Sequence, residues 1–229
     1  MIRHLPNILT ITNLILGLLS IIWSLQNVNN LFLCSWLVLI AMLFDFMDGK
    51  LARFLKTSSN YGKQLDSFAD MVSFGIAPAI ITFQLINIYN PKLAYIACLI
   101  PIFSALRLAN YNIDERQGNH FFGITTPINA LFFCSFPIIL HYEKNEFILS
   151  IICNVNFLFI STIIFSLLLI SPLKTFSLKS FSNNNLEKKI KILFITLSCI
   201  AFFLLKYTAF PLIVFFYIFL SIIFSLNKN

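Results

Sequence analysis

The chain is a succession of apolar runs of roughly 16 to 24 residues, each close to the ~20 that a helix needs to cross a bilayer. Inside hydrocarbon every backbone N–H and C=O must find its partner within the protein, so only helices and closed barrels span. No period-2 alternation is present, which leaves helices. With 11% charged residues and a mean hydropathy of +0.87, a soluble globule is excluded. The expected spans are 8–25, 31–55, 66–86, 92–112, 124–141, 147–170, 190–205 and 209–226. This describes an all-α polytopic membrane protein of about eight transmembrane helices. The first run has no small-residue cleavage site and is followed by further spans, so it reads as a retained helix.

Basic residues set the orientation. With the N-terminus inside, only Lys92, Lys144 and Lys206 face outward, and the other thirteen of the sixteen Lys and Arg residues lie on the cytoplasmic side. The expected topology is N-in and C-in. The stretch 171–189 is polar and rich in Ser, Asn and Lys. It divides a six-helix unit, residues 1–170, from a C-terminal helix pair, residues 190–229. Its charges read either as a solvated loop that fixes topology or as a contact for anionic lipid head groups; no nucleic-acid partner is expected. The five cysteines all fall within spans without a CxxC pair and read as packing residues. No Walker-type loop is present, so ATP is not expected.

Against this background, four of the nine carboxylates crowd into residues 45–70, DFMDGKLARFLKTSSNYGKQLDSFAD. Asp45 and Asp48 are three apart, and Asp66 and Asp70 four apart, spacings that put each pair on one helix face. A turn around TSSNYG makes the two helices a hairpin, so the pairs can converge. Convergent carboxylates at a membrane boundary repel one another unless cations join them. Oxygen donors without clustered His or Cys point to Mg²⁺ or Mn²⁺, with Ca²⁺ also compatible. A pair of such cations suits phosphoryl chemistry. Gly49 and Ala52 leave room for a ligand beside the helix, Arg53 offers a cation to phosphate, and Gly62 lets the loop pass close to a ligand.

The pattern D-x2-D-G-x2-A-R-x8-G-x3-D-x3-D, unbroken from Asp45 to Asp70, resembles the signature of the CDP-alcohol phosphatidyltransferases. The resemblance covers roughly residues 1–170. It implies that Asp45, Asp48 and Asp66 ligate metal, with Asp70 near a second metal and also acting as general base. It implies that Gly49, Ala52 and Gly62 line a cytidine pocket while Arg53 holds the diphosphate. The reaction so implied is attack of an alcohol on the lipid-side phosphorus of a CDP-linked lipid, with release of CMP. Homodimerisation and an active site facing the cytoplasm of a bacterial inner membrane are further implications.

The acceptor must be read from flanking residues. DMVSFGIAPA (70–79), LPNILTITNLILGLLSI near the N-terminus, and SALRLANYN followed by FFGITTP resemble the branch of that family that makes phosphatidylserine. In FFGITTP a threonine, Thr125 or Thr126, stands where proline is more usual. The resemblance implies CDP-diacylglycerol as donor and L-serine as acceptor. Arg107, near a span's cytoplasmic end, suits the serine carboxylate, with Asn110 and Asn112 adding polar contacts. Asn7, Thr10 and Asn13 form a polar stripe on the first helix, suited to inter-helix bonding or to nucleotide and acceptor contact. His4, His120 and His141 are scattered and carry no assigned chemistry. Two other readings remain open: a sister transferase using glycerol 3-phosphate, an inositol phosphate or choline, and a cation transporter. The first would need more basic residues at the site than Lys50, Lys56, Lys63 and Arg116 offer. The second would need acids near mid-membrane on several helices.

Overall fold

The computed structural model describes residues 5–55, 57, 59–113, 121–176 and 185–226. The first two helices, α1 (Leu5–Gln26) and α2 (Leu31–Phe54), are joined by a short turn, Val28–Asn30, and pack along each other. Then α3 (Asn60–Asp70) runs through a π-helical turn, Met71–Ile76, into α4 (Ala77–Asn87). A single turn, α5 (Pro91–Ala94), and a 3₁₀ turn precede α6 (Leu99–Ile113). Next come α7 (Thr126–Tyr142), α8 (Glu146–Ile152) and α9 (Val155–Leu169), with a 60° bend between the last two. Two short strands, β1 (Phe121–Phe122) and β2 (Lys174–Thr175), pair antiparallel. The described part ends with α10 (Asn185–Leu205) and α11 (Ala209–Leu226).

The polarity of α1 is inverted relative to a helix of a water-soluble protein. Its buried residues are Pro6, Thr10, Asn13, Gly17, Ser20 and Ser24, while Ile8, Ile11, Ile15, Leu18, Ile22 and Leu25 are exposed. Lipid tails are as apolar as leucine, so burying leucine gains little in a bilayer, and small or polar residues take the helix interface instead. Ser20 donates to the carbonyl of Cys34 at 2.9 Å, and Ser73 to that of Asn13 at 2.9 Å. Opposite Ser73 sits Gly17: a Cβ there would lie 2.8 Å from the Ser73 Cα, so only glycine permits this approach.

At the centre lies α7, buried along most of its length. Its Phe132 stacks on Phe165 of α9 with ring centroids 3.7 Å apart, and Phe133 and Phe136 meet Phe132 edge-on. The C-terminal helices fold back on each other. Phe194 and Tyr217 would be about 34 Å apart on one straight helix, yet their rings are 5.9 Å apart. The reversal falls at Lys206, the one non-glycine residue with positive φ (50°) among the described residues. This pair packs against the preceding helices. Phe215 of α11 packs 5.8 Å from Phe132 and 6.2 Å from Phe165.

All eight expected spans are helical, but the count of membrane-length helices is lower. Among the described residues five helices are long and apolar enough to cross a membrane, or six with the bent pair Glu146–Leu169. The shortfall has two causes. At 17 residues, Thr126–Tyr142 is short, and Lys188–Leu226 reads by length as one 39-residue apolar stretch although it turns back at Lys206. The third expected span also begins earlier than 66. Its helix starts at Asn60, where Ser59 accepts the Gly62 N–H at 3.0 Å, the bond of an N-cap.

Candidate active site

Late in α2, the three-residue spacing of Asp45 and Asp48 puts both on the buried face, 3% and 4% exposed. Asp66 reaches them from α3. One carboxylate oxygen from each of the three lies within 4.8 Å of the others. Unit charges at that distance repel by about 3.5 kcal/mol per pair at an effective dielectric of 20. Such a group suits a divalent cation, and its all-oxygen donors match Mg²⁺, Mn²⁺ or Ca²⁺. The first helix supports the cluster: the Thr10 hydroxyl lies 2.7 Å from Asp48 Oδ2.

Asp70, one turn beyond Asp66, stands at the edge of the π-helical turn. Such turns widen the helix and recur at functional sites. Together with Asp45 and Asp66 it lines a cavity of about 270 Å³. Arg107 of α6, 9% exposed, lines the same cavity. The Asp70 charge acts on its guanidinium, and its Nε has no hydrogen-bond partner among the described residues. An acidic side for cations and a buried guanidinium with a spare donor thus share one small chamber.

The FFGITTP stretch forms another wall. Gly123 has φ +73°, and a Cβ there would run into the carbonyl of Leu169 and sit 2.9 Å from that of Leu168. Backbone bonds from Gly123 N to Leu173 O (2.9 Å) and Ile124 N to Leu168 O (3.1 Å) lay this stretch across the end of α9. Thr125 is the N-cap residue of α7 and Pro127 occupies its first turn, where a missing N–H costs nothing. Thr125, Thr126, Pro127 and Ile128 all face the cavity, and the buried Thr126 hydroxyl has no partner among the described residues.

Other expected site residues lie elsewhere. Gly49, Ala52, Arg53, Gly62, Asn7, Asn13 and Asn110 are not in the cavity lining. Arg53 is exposed, with Nε donating to the Gly49 carbonyl at 3.0 Å, and Asn110 is exposed. Gly62 belongs to the first turn of α3 rather than to a loop. A Cβ on it would lie 3.4 Å from Asn7 Oδ1, so these two residues are neighbours. Asn13 is fully buried and its side-chain amide has no partner among the described residues. Asn112 donates to Ser67 at 2.9 Å, tying α6 to α3. Lys50 Nζ lies 4.1 Å from the centroid of the Phe46 ring and Lys63 Nζ 5.8 Å from that of Tyr111. Lys56 and Arg116 fall outside the described residues.

Several lining residues have no counterpart among the sequence expectations: Ser67, Tyr111, Phe176 and Tyr217. Ser67 and Tyr111 were within reach, since they lie one and four residues from Asp66 and Arg107. For Phe176 and Tyr217 no spacing or motif gave a signal.

Comparison with known proteins accords with this geometry. The sequence profile described as CDP-alcohol phosphatidyltransferase matches residues 3–167. A Bacillus subtilis protein named CDP-diacylglycerol–serine O-phosphatidyltransferase is 33% identical over 166 residues, 71% of this chain and 90% of its own length. A Helicobacter pylori protein of the same name (strain 26695) is 27% identical over 232 residues, 98% of this chain and 96% of its own length. For a third of that name, from H. pylori strain J99, the match is 33% over 126 residues, 55% of this chain and about half (52%) of that protein.

Proposed function

Since the chain belongs to the CDP-alcohol phosphatidyltransferase family, we propose that it transfers the phosphatidyl group of CDP-diacylglycerol to the hydroxyl of L-serine, giving phosphatidylserine and CMP. One observation carries this reading: Asp45 and Asp66 of the acid cluster, with Asp70 and the buried Arg107, line the same 270 Å³ cavity, while Asp48 stands outside its lining. The names of the bacterial relatives support serine as the acceptor.

Asp45, Asp48 and Asp66 would hold divalent cation, with Asp70 completing a second position, and the metal would be Mg²⁺ or Mn²⁺. Bound there, cations supply charge neutralisation for the diphosphate and for the departing CMP. The chain's own groups do the rest. Arg107 pairs its planar fork with the serine carboxylate, which fixes the amino acid in one orientation. Asp70 accepts the proton from the serine hydroxyl as that oxygen attacks the lipid-side phosphorus. The new P–O bond forms while the P–O bond to CMP breaks, and the proton leaves Asp70 for water. The exposed apolar faces keep the donor's acyl chains in the bilayer, and an N-in, C-in topology puts the cavity on the cytoplasmic side of a bacterial inner membrane.

Purified protein is incubated with CDP-diacylglycerol, Mn²⁺ or Mg²⁺, and in turn L-serine, glycerol 3-phosphate, inositol phosphate and choline. Serine-dependent CMP release is the expected result. Release with one of the other acceptors and none with serine overturns the assignment.

A further inference from the structure

Two of the cavity's lining residues, Phe176 and Tyr217, lie beyond residue 167, where the family match ends. Tyr217 belongs to α11 and is 2% exposed. Its hydroxyl donates to the Phe176 carbonyl at 3.2 Å, and the two rings are 4.9 Å apart at 48°. Phe194 of α10 backs the Tyr217 ring from 5.9 Å. The segment carrying Phe176 is itself anchored. Lys174 and Thr175 pair with Phe122 and Phe121, and the Thr175 hydroxyl donates to the Gly123 carbonyl at 3.2 Å. The Tyr217 ring is therefore held from behind and through its hydroxyl, on an element that also packs against α7. A buried tyrosine ring packed between other rings presents a rigid aromatic surface to the space beside it.

We propose that the C-terminal hairpin completes the acceptor pocket, and that Tyr217 is a specificity-determining residue limiting the length of the alcohol that fits beside Arg107. This inference rests on the transferase reading above. The cavity's volume is at the small end for ligand pockets. A fixed wall in so small a space excludes an acceptor that is one methylene too long, because the ring, 2% exposed and backed by Phe176 and Phe194, has no room to withdraw.

The test uses the full-length protein in detergent with CDP-diacylglycerol and Mn²⁺, comparing CMP release with L-serine and with L-homoserine, which is longer by one methylene. In Tyr217→Ala the serine KM rises and the kcat/KM preference for serine over homoserine falls about tenfold, the scale on which a pocket reads one methylene. Tyr217→Phe keeps the ring and stays within about threefold of the wild type on both measures. Phe219→Ala, on the exposed face of the same helix at 62% exposure, leaves both unchanged and controls for damage to the hairpin. Should Tyr217→Ala not yield a folded protein, Tyr217→Leu, which retains apolar bulk but not the flat ring, is read the same way. Unchanged serine KM and unchanged preference overturn the proposal, and so does a loss in Tyr217→Phe as large as in Tyr217→Ala. If the wild type uses a different acceptor, the serine assignment fails, and the wall is then judged on that acceptor and its longer homologue. CMP release with no acceptor at all overturns both.

Discussion

Thr10 and Asp48, 38 residues apart in sequence, meet at 2.7 Å between Oγ1 and Oδ2, so α1 holds one member of the acid cluster in place. The same hydroxyl is 3.0 Å from the Pro6 carbonyl, and its single proton serves the shorter, charged contact. Thr10→Val keeps the shape and removes the donor. The expected outcome is a rise of about tenfold in the Mg²⁺ or Mn²⁺ concentration needed for half-maximal CMP release, in the range of outer-shell effects. Saturating metal restores most of the rate. Loss of activity at every metal concentration would show that Thr10 does more than orient Asp48.

Asp48→Asn removes one charge from three carboxylates whose oxygens lie within 4.8 Å. CMP release should become undetectable, while the melting temperature measured without metal holds or rises as repulsion is relieved. Mn²⁺ should raise the melting temperature of the wild type and not of the variant. Near-normal turnover in the variant would refute a metal role for this residue.

Arg107→Lys retains the charge and loses the planar fork. The serine KM should rise at least tenfold, with the KM for CDP-diacylglycerol changing much less. Equal increases in both would assign Arg107 to the donor rather than the acceptor.

Gly17→Ala forces a methyl group to within 2.8 Å of the Ser73 Cα, on backbone that cannot rotate away. Separating α1 from the π-helical turn should cost about 1–3 kcal/mol, as overpacking does in other cores. A lowered melting temperature in detergent, with serine KM little changed among surviving molecules, is the expected result.

The acid pairs were legible in the sequence because their meaning lies in short spacing: three and four residues on a helix leave little freedom for where side chains point. Arg107 stood out in the sequence because a cation within a span is costly without a partner, and it is buried in the cavity wall. The far wall was not. Tyr217 stands in VFFYIFL, where every neighbour is apolar and nothing separates a pocket-facing ring from a lipid-facing one. Asn110 was expected beside Arg107, at the same three-residue spacing as Asp45 and Asp48, yet it ends exposed. Gly62 was expected in a loop because glycine marks turns, yet Ser59 caps the helix early enough to include it. The division of the last apolar stretch into spans 190–205 and 209–226 was legible because Lys206 interrupts it, and the chain reverses at that residue; the number of membrane-length helices was not, since Thr126–Tyr142 is short for a span.

The chamber draws its walls from Met42 at one extreme of the chain and Tyr217 at the other. During synthesis, therefore, the acids are in the membrane long before the last wall has left the ribosome. A nascent chain stalled between α9 and α11 would carry its cluster of carboxylates beside an unfinished, open-sided compartment. If the hairpin forms the acceptor wall, that compartment is closed only once α11 is in place.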